Sequence, residues 1–181
     1  LVAAGVRAVS RPFAAPGAAF AWLQYLLLAL LPLSLYVGAR RLGLAPIAAG
    51  IAALLALLPS GAGDLGRYGL GYGAFTWRGS GLFTQLVALH LMALALGEVA
   101  RALDSGRGRV HAALLLAATG LAHMVVGYVA ILWSVVLALT GEPGHRSTRL
   151  VRLLGLGVAA ALLVGGGLLR DVLSADPVCR E

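Results

Sequence analysis

The residues best equipped for chemistry sit together on one glycine-rich stretch, "GAGDLGRYGLGYGAFTWRGSGLFTQ", which runs from Gly61 to Gln85. It carries Asp64, Arg67, Tyr68, Tyr72, Trp77, Arg78 and Gln85 in a chain otherwise poor in polar groups. Arginine offers a planar fork of donors matched to phosphate or carboxylate. Tyrosine and tryptophan provide faces on which a ring can stack, and both also settle at lipid-headgroup depth. All four histidines stand outside the stretch, and two of them are of interest, His90 in "VALHLMAL" and His123 in "TGLAHMVVGY". What these groups can do depends on the elements that hold them.

Those elements are apolar. Of the 181 residues 60% are hydrophobic and only 12% charged, and the mean hydropathy is +0.93. That is a membrane composition, and it leaves no charged surface for a soluble domain of this size. The formal charge of +7 is carried by arginine alone, with no lysine anywhere. The arginines are scattered between apolar runs and form no basic stripe, which argues against nucleic acid as a partner. They are read instead as topology marks on the cytoplasmic side of the membrane. A single cysteine, Cys179, excludes an internal disulfide and a four-cysteine zinc site. Leu1 stands where a start methionine would, so the chain reads as a piece of a longer polytopic protein.

Crossings follow from the apolar runs and their charged ends. The first span is Ala19–Ala39 with Pro32 as a kink, ending at Arg40 and Arg41. A second run, Leu42–Leu58, leads out to an extracytoplasmic loop at 60–81. "GLFTQLVALHLMALALGEVA" returns the chain to a cytoplasmic turn marked by Arg101, Arg107 and Arg109. The next apolar stretch, 110–140, ends at Arg146, Arg149 and Arg152. Cytoplasmic flanks on both sides demand an even number of crossings, which predicts two short helices meeting in a turn between Thr119 and Tyr128, with His123 near the outer surface. A last span follows, with Gly165–Gly167 suited to close helix approach. Residues 1–18, with Arg7 and Arg11 four apart, suit a helix lying in the interface. The expectation is an all-α fold: one transmembrane domain over 1–181, a polytopic helical bundle of about six spans including one short helical pair.

Plainer roles compete at each candidate. An interfacial belt accounts for Tyr68, Tyr72 and Trp77, and lipid headgroups for Arg67 and Arg78. His123 reads as a satisfied helix-end histidine or as a ligand or base. His90, at mid-span, is a functional suspect by position, against which stands a neutral imidazole bonded across a helix interface. Glu98 and Arg101, three apart, read as a local pair. A Ser80 and His123 dyad is weak, because Arg78 replaces the first glycine of a GxSG pattern. No metal-ligand spacing occurs, and no cofactor is identifiable from the residues.

Three phrases together, "LLLALLPLSLYVGARRLGL", "YGAFTWRGSGLFTQLVALHLMALALG" and "ATGLAHMVVGYVAIL", resemble bacterial GT-C type glycosyltransferases, more narrowly the uncharacterised membrane proteins grouped with protein-mannosyltransferase-like enzymes. The resemblance covers roughly Leu26 to Leu139. It implies transfer of a sugar from a polyprenyl-phosphate donor on the outer face of the bacterial cytoplasmic membrane, to an acceptor the residues do not identify. It also allows a divalent metal. Under it, Arg67, Arg78, Gln85 and His123 line the donor or acceptor groove, and Tyr72 and Trp77 cover a glycosyl ring or lipid chain. The catalytic acid of such enzymes lies in a first outer loop after the first span, which places it before Leu1 and leaves Asp64 in a later loop. The partners implied are membrane lipid and the lipid-linked sugar. A transporter or flippase, with His90 and the last span lining a pathway, is the alternative from another class; a structural membrane subunit is a third.

Overall fold

A computed structural model describes residues 16–56 and 83–174, and every regular element among them is helical. Helix α1 spans Pro16–Arg41, α2 Pro46–Leu55, α3 Phe83–Ser105, α4 Arg109–Ala122, α5 Met124–Leu139 and α6 Arg146–Ser174, with a 3-10 turn at Pro143–His145 before α6. The starts and stops are locally encoded. Pro46 opens α2 in its first turn, where a missing N–H costs nothing. Gly106 and Gly108, at φ 71° and 74°, make the left-handed turn that ends α3 and starts α4.

Three helical stretches are long and apolar enough to cross a membrane: Trp22–Arg41, Phe83–Ser105 and Pro143–Gly166. Large apolar side chains face outward all along the bundle, among them Trp22, Ile47, Leu132 and Leu162. Water would penalise such a surface, whereas lipid tails accept it. The chain is thus built as an integral membrane protein. The last three residues of the 1–18 segment already belong to α1, and 1–15 lie outside the described residues.

Helix α3 is the hub and packs against α1, α4, α5 and α6. Its neighbour α1 runs parallel to it. Phe20 meets Phe83 with ring centroids 4.7 Å apart at one end, and Arg41 meets Glu98 at 2.6 Å at the other. Between these points Gly38 lets the two backbones touch: a Cβ there would collide with the Ala93 carbonyl. Small residues at a contact are how membrane helices approach without a hydrophobic drive between them. Because the pair is parallel, the chain leaves α1 at one end of the bundle and re-enters α3 at Phe83 at the other.

The second half of α3 is wrapped by the remaining helices. Ala95, Val99, Ala102 and Leu103 form one buried cluster with Ala112, Ala113 and Leu116 of α4, Ala130 and Ala138 of α5 and Leu156 of α6. The first half forms a separate cluster with α1, through Leu86, Leu28 and Leu31. The apolar stretch 110–140 is broken inside the expected window: α4 ends at Ala122, α5 starts at Met124, and His123 between them is extended at φ −158° and ψ 112°.

Candidate functional site

Arg67, Tyr72, Trp77 and Arg78, with Asp64, Tyr68 and Ser80, lie outside the described residues, as does the 60–81 loop. Gln85 and His123 lie within them. Gln85 sits half-buried in the first turn of α3, at the Phe20 and Phe83 end. His123 forms the tip of the α4–α5 pair, at the ends of those helices remote from Arg109 and Arg149.

The tip is tightly closed. A Cβ on Gly127 would lie 2.6 Å from the Cα of Gly120, so the two helices meet backbone to backbone one turn either side of His123. The His123 N–H donates to the Thr119 carbonyl at 3.0 Å, and its carbonyl accepts from the Gly127 N–H at 2.9 Å. Its Nδ1 is buried without a hydrogen-bond partner among the described residues. The 14 residues of α4 and 16 of α5 make helices of roughly 21 and 24 Å, whereas the 23 residues of α3 reach roughly 34 Å at 1.5 Å per residue. The first turns of α3 therefore extend past the pair, and no hydrogen bond joins Gln85 to His123.

His90 is a bridge between helices. Its Nε2 lies 2.8 Å from the Leu27 carbonyl and its Nδ1 2.7 Å from Ser34 Oγ, both on α1. A carbonyl can only accept, so Nε2 carries the proton; in the neutral ring Nδ1 then accepts from the serine hydroxyl. The alternative of a neutral imidazole tying two spans together is the one the fold adopts. With both nitrogens committed, the ring has no free site for a passing ligand.

The arginines gather at the opposite end. Glu98, 5% exposed, takes Arg41 of α1 at 2.6 Å and Arg101 of its own helix at 3.5 Å. The expected local pair exists, but the shorter contact comes from another helix. Arg149 of α6 pairs with Asp104 at 2.9 Å and donates to the Leu137 carbonyl at 2.7 Å. Arg152 donates to the Leu103 and Asp104 carbonyls. Those carbonyls belong to the last turns of α3 and α5, which have no helical partner of their own. Cations from α6 satisfy them and complement the negative ends of both helix dipoles. Sequence spacing carries no trace of this capping, since donor and acceptor sit on different helices.

Among the described residues no three His, Cys, Asp or Glu side chains converge to hold a metal ion. The described bundle thus assembles no donor set for the divalent metal that the resemblance allows. Comparison with protein-family models, with curated proteins and with solved structures gives no match, so the likeness to GT-C type glycosyltransferases rests on the three sequence phrases alone.

Proposed function

We propose that this chain is the membrane-embedded part of a glycosyltransferase-like protein that takes a sugar from a polyprenyl-phosphate donor, at the end of the bundle opposite the arginine cluster. One observation carries this reading: α1 and α3 run parallel, so the stretch holding Arg67, Tyr72, Trp77 and Arg78 rejoins the fold at Phe83, far from Arg41 and Arg101. With the arginine end cytoplasmic, that junction faces outward, where lipid-linked sugars are used. The reading includes a six-crossing topology in the bacterial cytoplasmic membrane, with α4 and α5 entering from and returning to the cytoplasmic side. The donor phosphate is held by the forked guanidiniums of Arg67 and Arg78, with Gln85 and His123 along the same groove.

The transport alternative would use His90 and the last span; against it, both nitrogens of His90 are bonded to α1, which suits a bridge between helices as well as a pathway group.

Donor binding tests the proposal. In nanodiscs, Arg67→Ala and Arg78→Ala are each expected to weaken binding of a polyprenyl-phosphate sugar by about 1.5 to 3 kcal/mol, the scale of hydrogen bonds to a charged group. Lysine at either position restores only part of the loss, because a point charge cannot reproduce the fork. Parental binding by all four variants would leave the arginines as headgroup anchors and end the proposal.

A further inference from the structure

A groove of about 970 Å³ runs between α4 and α6, at the arginine end of the bundle and away from Gln85. Both helices begin at its mouth, where Arg109, Arg152, Ser147 and Thr148 stand. Beyond the mouth its lining is apolar, with Val110, Ala113 and Leu114 on α4 facing Gly155, Ala159 and Leu162 on α6. At the mouth the two guanidiniums flank the same point: a Cβ on Gly106 would lie 3.1 Å from Nη2 of Arg109 and 3.5 Å from Nη2 of Arg152. Among the described residues no carboxylate pairs with either arginine, since Asp104 gives its carboxylate to Arg149.

We propose that this groove holds one anionic phospholipid, its phosphate between Arg109 and Arg152 and its acyl chains along α4 and α6. The occupant follows from charge complementarity along the groove. Arg152 gives its Nη1 to the Leu103 and Asp104 carbonyls, which leaves its Nη2 and the Arg109 fork for an anion that lies between the two cations and relieves their repulsion. Their planar forks suit a phosphate, and the serine and threonine hydroxyls can donate to its remaining oxygens. A free phosphate would leave the apolar length of the groove empty, and a neutral lipid would leave the cations unpaired. The surrounding membrane supplies a molecule with both halves. Arginine clusters at span ends lie at headgroup height, and basic pockets between membrane helices suit acidic headgroups. The proposal is independent of the glycosyltransferase reading, because it uses other residues at the other end of the bundle.

Two substitutions separate the charge from the groove. Arg109→Gln removes a cation that makes no hydrogen bond or ion pair in the described fold. Gly155→Trp places an indole in the groove that Gly155 lines, at a position where a Cβ meets nothing within 4 Å. Gly157→Trp is its control: that position is equally open but lines a different groove, between α5 and α6. The experiment places the chain in phosphatidylcholine nanodiscs and compares immobilisation of spin-labelled phosphatidylglycerol with that of spin-labelled phosphatidylcholine. The parent is expected to immobilise phosphatidylglycerol preferentially, and an excess of inorganic phosphate should not displace it. Arg109→Gln should lower the preference about fivefold, the effect of one cation near a membrane surface. Gly155→Trp should abolish the immobilised phosphatidylglycerol component, and Gly157→Trp should retain it. Equal immobilisation of the two lipids by the parent overturns the proposal. So does displacement by inorganic phosphate, which would mark a site for the free anion, or an undiminished preference in Gly155→Trp, which would mark surface attraction without a groove.

Discussion

Helix α3 buries two ionisable side chains, and the protein treats them in opposite ways. His90, midway along the span, is joined to α1 by neutral hydrogen bonds to a serine hydroxyl and a backbone carbonyl. Glu98, two turns further on, is held by charges, with Arg41 at 2.6 Å and Arg101 at 3.5 Å. The difference follows depth. In the hydrocarbon core an ion is costly, so a neutral ring with both nitrogens satisfied is the stable arrangement. At the span's end the arginine head groups reach water while their partner stays buried: the Arg41 side chain is 40% exposed and that of Glu98 only 7%. Both contacts fasten the same pair of helices, one by neutral hydrogen bonds at mid-helix and one by an ion pair that water partly screens.

The largest effect expected from breaking this contrast is at Glu98. Glu98→Ala removes the carboxylate that Arg41 and Arg101 share, and the loss is expected at about 2 kcal/mol, below the 3–5 typical of a fully buried pair because the arginines reach solvent. Reversible unfolding in mixed micelles reads this directly; a change under about 0.5 kcal/mol would mean that the ion pair holds nothing. His90→Leu should cost less, about 1 kcal/mol, because hydrogen bonds between membrane helices are individually modest. The same unfolding assay on Ser34→Ala sharpens the point: combined with His90→Leu it should add little, since one shared bond has already gone. Full additivity of the two would contradict the bridge. The smallest effect is expected at Arg101→Gln, at most about 0.5 kcal/mol, because its contact with Glu98 is long and its side chain 53% exposed. A loss as large as that of Glu98→Ala would make Arg101, and not Arg41, the principal partner.

Several features are legible before any fold is known. The break at His123 falls inside the Thr119 to Tyr128 window expected from the arginines on both flanks, an expectation that uses charge counts alone. The Glu98 and Arg101 pair follows from helical spacing. Arg41 as the closer partner of Glu98 does not, because charge runs both helices toward the arginine end without recording that they are neighbours. The capping of α3 and α5 by Arg152 and Arg149 is hidden for the same reason: as cations they read as topology marks, and only assembly turns them toward the open carbonyls. Of the candidate groove, Gln85 and His123 fall on separate elements, and the loop carrying the remaining residues is outside the described part of the chain.

What the amino-acid order determined unaided is the set of helices, including the short pair. In a medium without water each backbone N–H and C=O must be satisfied within its own segment, so an apolar run of sufficient length becomes a helix whatever its neighbours. Arginines, prolines and glycines then set where each helix stops. Only the tertiary structure decided which helices pair and through which side chains. Lipid tails are as apolar as leucine, so burial favours no particular helix face; the choice passes to close packing and to a few polar contacts between distant positions. Here those are Gly38 against Ala93, His90 against Ser34 and Leu27, and Glu98 against Arg41.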